Sequence, residues 1–176
     1  MRAWLIVMLL VCAPLHAASY IEQELGTAHL GGQGVYTWFG LTVYSAELWL
    51  GPQGYAGDSA PLVLELRYAR SLDGGRIAEA SVEQMAAINA GSAAQRAQWL
   101  AQMKAIFPDV REGTRLGGVL LPGLGVRFYR DGQLLATVPD LAFAHAFFGI
   151  WLDPATSAPK LRAALLRDAV MKPMTP

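Results

Sequence analysis

GVYTWFGLTVYSAELWL, residues 34–50, holds five aromatic side chains, and they do not keep to one side of a strand. From Leu41 onward the stretch alternates. Leu41, Val43, Ser45, Glu47 and Trp49 share one side, and Thr42, Tyr44, Ala46, Leu48 and Leu50 share the other. A period of two is that of a β-strand, and apolar groups on both sides predict a strand covered on both faces. One side is then expected in the core and the other at a cleft.

Working outward, the same alternation returns in 62–69, where Leu62, Leu64, Leu66 and Tyr68 face one way and Glu65 and Arg67 the other. Three more strands are predicted between Thr114 and Val138, with Pro122-Gly123 separating the first two and Asp131-Gly132 closing a tight hairpin. Helical spacing fills the rest. Asp73 caps a helix with Ile77, Ser81, Met85 and Ile88 on one face, and Ser92 caps another with Trp99, Met103, Ile106 and Phe107 inward. Asp140 caps Leu141 to Trp151, and Ser157 caps a last helix that opens on Pro159. Strands and helices mix without regular alternation and neighbouring strands are joined by hairpins. The class is therefore α+β, a largely antiparallel sheet with helices over one face. No repeat or low-complexity tract divides the chain, and Gly51 to Pro61 reads as a loop.

The first seventeen residues read as a signal peptide: Arg2, an apolar run from Leu5 to Cys12, then Leu15-His16-Ala17 with cleavage expected after Ala17. The run is too short to span a bilayer and Pro14 interrupts it. A single domain over 18–176 is expected, exported to the periplasm and without an integral membrane segment. Cys12 leaves with the leader, so no disulfide can form. Export also removes Arg2, leaving thirteen basic residues against fourteen acidic ones with neither sign in a block. That distribution offers no footprint for nucleic acid and no basic face for membrane adsorption.

Catalytic chemistry finds little to work with. Apart from the leader, the chain holds His29 and His145, too few for a metal site, and His145 sits among Phe143, Phe147 and Phe148, where a packed, hydrogen-bonded imidazole is expected. Gly31-Gly32-Gln33-Gly34 and Gly123-Leu124-Gly125 lack a following phosphate-cradling helix or P-loop lysine, so close backbone packing or a turn explains them better. No cofactor is implied. A pocket remains: Tyr36 and Tyr44, set beside large apolar groups, could orient the polar end of a greasy ligand or simply fill the core.

Several segments together resemble the exported bacterial branch of the chalcone isomerase-like family. They are Gly32-Gln33-Gly34, the run Leu41 to Leu50, Leu121-Pro122-Gly123-Leu124-Gly125-Val126, Asp131-Gly132-Gln133 and Phe148-Gly149-Ile150-Trp151-Leu152-Asp153, followed by a leucine-rich last helix. The resemblance implies an open-faced β-sandwich, a large antiparallel sheet with a helical layer and a ligand cleft between them. Its family holds isomerases that close chalcones and non-catalytic relatives that bind fatty acids. The isomerases' arginine falls on Tyr36, their strand hydroxyl on Tyr44, and their helix tyrosine and asparagine near Ile77 and Gln84. A phenol cannot replace a guanidinium as a fixed bidentate cation. Arg67, Arg70 and Arg127 are the cations that other segments could offer, and Arg67, sharing the parity of Glu65, is expected in an ordinary surface pair. The implied cleft therefore favours an apolar or weakly polar guest. Tyr36 and Tyr44 are expected to line it, with Met85, Ile88 and Phe147 as walls. The leading expectation is a non-enzymatic periplasmic binder of a small lipophilic ligand, a fatty acid or similar. The alternatives are an isomerase acting on a chalcone-like ketone and a structural or partner-binding periplasmic protein whose cleft has closed.

Overall fold

Phe39 and Gly40 both adopt positive φ, 47° and 76°. This is the two-residue turn that matches strand twist, and it folds the aromatic stretch into a hairpin of β1 (His29–Trp38) and β2 (Leu41–Leu50). The five aromatics thus belong to two strands and a turn. The structure, a computed structural model, describes residues 19–169; the expected leader and its cysteine lie outside them.

The remaining strands are β3 (Leu62–Tyr68), β4 (Arg115–Leu121), β5 (Gly125–Arg130) and β6 (Gln133–Val138). All neighbours are antiparallel, and strand order follows chain order, β1-β2-β3-β4-β5-β6. The Asp131-Gly132 turn carries φ of 49° and 83°, so the predicted tight hairpin joins β5 to β6. Pro122 and Gly123 separate β4 from β5 as expected. Strands and helices together form the expected α+β fold, an open antiparallel sheet with a helical layer.

Between β3 and β4 the chain makes α2 (Gly74–Ala87) and α3 (Ala93–Ile106), and after β6 come α4 (Leu141–Leu152) and α5 (Pro159–Leu165). Three helices start on the predicted caps. Asp73 accepts from the Arg76 N–H at 3.0 Å, Ser92 forms a reciprocal box with Gln95, and Asp140 accepts from the Phe143 N–H at 2.9 Å. Asp140 also accepts from the Trp99 indole N–H at 3.1 Å, tying α3 to α4. The fourth cap differs. Ala158 occupies the cap of α5 without a side-chain bond, Pro159 supplies the preset φ, and the Ser157 hydroxyl donates instead to the Gln84 side-chain oxygen.

The Gly31-Gly32-Gln33-Gly34 run lies inside β1, and close packing is its reason. A Cβ on Gly32 would stand 2.2 Å from the Ala164 carbonyl oxygen, and one on Gly34 would stand 2.7 Å from Leu161 Cδ1. The glycines let α5 lie directly on the edge strand, where the Asp168 N–H donates to the Gly31 oxygen at 2.8 Å.

Helices α2 to α5 bury one face of the sheet, with Leu48, Leu64, Met85, Phe143 and Phe148 at its centre. The other face is covered in part by a short helix the sequence does not announce, α1 (Tyr20–Leu25), which packs on Val63, Val119 and half-buried Trp49. Farther along this face Leu41 remains exposed, so β2 is covered on both sides only toward its C-terminal end. Two carboxylates anchor α1. The Tyr20 hydroxyl donates to Glu65 at 2.9 Å, and Glu24 accepts from the Arg127 guanidinium at 2.9 Å and from the Tyr129 hydroxyl.

Glu65 is buried, and that burial pushes its carboxyl above the ordinary range, against the opposing pull of the Tyr20 hydrogen bond and of Arg115 at 3.9 Å. An acid whose folded pKa is raised holds its proton longer in the native state than in the unfolded chain. Stability therefore falls as pH rises through the window that opens at the ordinary value of 4.5. Urea unfolding of Glu65→Gln at a series of pH values is expected to show a flatter dependence across that window, and an unchanged slope would contradict the assignment.

Candidate functional site

Cross-strand register builds the site. Tyr36 pairs directly with Tyr44, and Tyr44 pairs directly with Tyr68, which sets three phenols side by side on one face of β1, β2 and β3. Tyr36 stacks on Tyr44 with centroids 5.1 Å apart, and Tyr44 meets Tyr68 edge-on at 5.8 Å. This is also the face of Ala46, Leu48 and Leu50. Core and cleft are thus successive lengths of one face, which corrects the expectation that they divide the two sides of β2. The reason is that the helical layer closes tightly over one end of the sheet and stands off the other.

The space left there is a cavity of about 630 Å³. Its floor includes Leu66 and Phe128, its roof Phe147, Ile150 and Trp151 of α4, and its side wall Ile77, Ala80, Ser81 and Gln84 of α2. The Trp151 indole N–H donates to the Tyr44 hydroxyl oxygen at 2.9 Å, pinning the roof to the floor. Burial raises the Tyr44 phenol well above its ordinary pKa, with Trp151 opposing and Tyr36 adding to the rise; burial and then Tyr44 do the same to Tyr68. Both are neutral donors at physiological pH. Tyr68 is only 4% exposed, and among the described residues its hydroxyl has no hydrogen-bond partner. Its hydroxyl opens onto the cavity, where it can donate to an acceptor on whatever enters.

Arg70 and Arg76 border the same cavity, and neither has a carboxylate partner among the described residues. Glu79 and Glu83 line it too: Glu79 is engaged by Lys104 at 2.6 Å, and Glu83, exposed like both arginines, has no cation partner among the described residues. The polar groups within the wall are already occupied: Ser81 donates to the Ile77 carbonyl at 2.8 Å, and Gln84 accepts from Ser157. The arrangement can grip a polar head with guanidinium and phenol donors and bury a tail among aromatics.

Of the residues singled out from sequence, Tyr36, Tyr44 and Phe147 line the cavity, and Ile77 and Gln84 lie in its wall. Met85 and Ile88 do not line it. Met85 is wholly buried in the core, and Ile88, at the end of α2, packs toward Gly149 of α4, where a Cβ would come within 2.8 Å. The wall of α2 runs from Arg76 to Gln84, and Met85 and Ile88 face α4 and the core beyond it. Of the three cations, Arg127 lies on the far face against Glu24, and Arg67 is exposed on that face while Glu65 takes Tyr20 and Arg115 instead. Only Arg70 reaches the cavity. His145 is not packed among the phenylalanines; it points outward, 2.6 Å from Asp58. Tyr68 and Arg76 are among the lining residues that sequence reasoning misses. The alternation of 62–69 puts Tyr68 on the core face, but only register places it beside Tyr44.

Among the described residues no cluster of three His, Cys, Asp or Glu could hold a metal ion, and no helix is long and apolar enough to cross a membrane. Residues 17–167 match the sequence family described as chalcone isomerase-like. A protein of Haemophilus influenzae described as uncharacterized is 30% identical over 135 residues, covering 77% of this chain. The match spans 66% of that relative, just under two thirds of its length. The crystal structure of the Arabidopsis thaliana fatty-acid binding protein AtFAP1 has a similar fold, with a TM-score of 0.63 and 11% identity over 81% of this chain and 88% of that one.

Proposed function

The chain belongs to the chalcone isomerase-like family, and from that premise we propose that it is an exported, periplasmic, non-catalytic binder of a single-chain lipophile, a fatty acid or similar. The observation that carries the proposal is the cavity: about 630 Å³, within the range of roughly 300–1,000 Å³ of small-molecule sites, with an aromatic interior and, at its border, two guanidiniums without a carboxylate partner among the described residues. The cation missing at Tyr36 is made good by Arg70 and Arg76, so the expected preference for a weakly polar guest gives way to a carboxylate-bearing one. Tyr68 supplies the neutral donor beside them. Export is supported by the leader pattern of residues 1–17. The fatty-acid binding named for the Arabidopsis protein is consistent with the reading.

Protein purified from the periplasmic fraction is expected to release a fatty acid or similar lipid on organic extraction, with the complex visible by native mass spectrometry. In titrations with palmitate, Arg70→Gln with Arg76→Gln is expected to weaken binding about tenfold or more, the scale of a lost charge-assisted hydrogen bond, and to leave hexadecanol binding unchanged. A reproducibly empty protein that ignores palmitate overturns the reading. Chalcone closure above the uncatalysed rate, lost in Tyr44→Phe, would replace it with a ring-closing lyase.

A further inference from the structure

The strands that border the cavity all end on one edge of the sheet. The β1–β2 turn, the segment after β3, the start of β4 and the β5–β6 turn lie there together, because all neighbours pair antiparallel, with register shifts only in the β1–β2 and β5–β6 pairs. This edge is unusually apolar for a set of turns. Phe39 is 87% exposed and Trp38 62%, held edge-on to each other at 4.8 Å, and Leu41 follows beside them. Leu134 and Leu135, on the opposite edge strand β6, are exposed at the same end. A tight turn favours polar residues, and packing does not account for this one: nothing among the described residues covers Phe39.

Charges of both signs lie at this end, and most of the unpaired ones are basic. Arg70, Arg76 and Arg111 have no carboxylate partner among the described residues. The nearby Asp73 and Asp109 accept backbone N–H groups of α2, at 3.0 and 2.9 Å, and Asp131 accepts the Arg115 N–H at 2.9 Å. Glu112 is the acid left over. A projecting apolar knob, with unpaired Arg70 and Arg76 bordering the cavity that Trp38 also lines, is the shape and charge that an anionic lipid interface accepts, a local basic character that the evenly spread charge of the sequence does not show: indole and phenyl enter the acyl boundary while arginines meet headgroups. A protein partner would need a complementary groove, whereas a bilayer deforms around the knob.

We propose that the Trp38-Phe39-Gly40-Leu41 turn docks the protein on an anionic lipid surface, bringing the cavity border, which Trp38 itself lines, against the membrane. Docking goes beyond ligand binding and does not require an occupied cavity.

The test uses the host-processed protein in a Cys12→Ser background, labelled with a polarity-sensitive dye at Phe39→Cys or, on the opposite edge of the sheet, at Gln53→Cys. The probe is a vesicle of phosphatidylethanolamine and phosphatidylglycerol in a three-to-one ratio. A blue shift at position 39 and none at 53 is expected. Flotation of unlabelled protein should weaken about tenfold in Trp38→Ser with Phe39→Ser, and less steeply in Arg70→Gln with Arg111→Gln. No shift at 39, an equal shift at 53, or a shift that needs only more protein and no vesicle overturns docking, the last in favour of self-association. Palmitate titration without vesicles reads the cavity separately, so failure of docking and failure of ligand binding are told apart.

Discussion

In Ala80→Trp, palmitate affinity is expected to fall by well over tenfold while the fold survives. Ala80 sits on the cavity wall of α2 yet is exposed to solvent, so a larger side chain meets open space rather than packed core. An indole there takes volume from the cavity between α2 and the strand floor, and each 1.4 kcal/mol of lost contact is a factor of ten in affinity. Titration calorimetry with palmitate, beside a thermal melt within a few degrees of the parent, checks both halves of the expectation. Unchanged affinity would place the guest somewhere other than between α2 and the sheet.

The second large effect concerns the fold that holds this site. Gly32→Ala places a Cβ 2.2 Å from the Ala164 oxygen and 2.4 Å from the Leu165 oxygen, both backbone atoms that no rotamer change can move aside. Relief requires α5 to lift from β1, which uncovers the buried Leu161 and Leu165 and breaks the Asp168 to Gly31 hydrogen bond. Overpacking of this severity costs about 3 kcal/mol. Urea unfolding is the measurement, with Gly51→Ala as comparison: its Cβ would meet only the Leu25 oxygen at 3.7 Å, an ordinary contact. A cost below about 1 kcal/mol for Gly32→Ala would mean that helix and strand do not need their close approach.

What could be read from sequence is what depends on a few consecutive residues. The Asp131-Gly132 turn and the caps at Asp73, Ser92 and Asp140 are local chemistry, and so is the alternation of 41–50. Hairpin-joined strands mixed with helices were enough for the α+β class, while the cleft between sheet and helices came from the family resemblance. Other features are invisible for stated reasons. Six residues of α1 are too few to show a helical period. The glycines of β1 look like punctuation until α5, more than a hundred residues later, is laid against them. Ser157 has cap chemistry one residue too early, because the proline presets the turn after Ala158. The candidate site was legible at Tyr36, Tyr44 and Phe147, since aromatic load marks where large groups must be buried. Tyr68 depends on register, and Arg76 on which way the first turn of α2 faces, and both are decided by contacts between distant segments. Met85 and Ile88 share the helical face of Ile77, but that face passes from open cavity to packed helix within two turns.

A sheet whose strands lie side by side in the order of synthesis can zip from one end, since no late strand has to be threaded between two earlier ones. The roof is another matter: Phe147 and Trp151 are on α4, which follows all six strands. Until α4 docks, the greasy floor of this trough has no cover of its own from the helices after the sheet. A hydrophobic guest that arrives at that stage would serve as a template for closure, and assembly and loading would then be a single event.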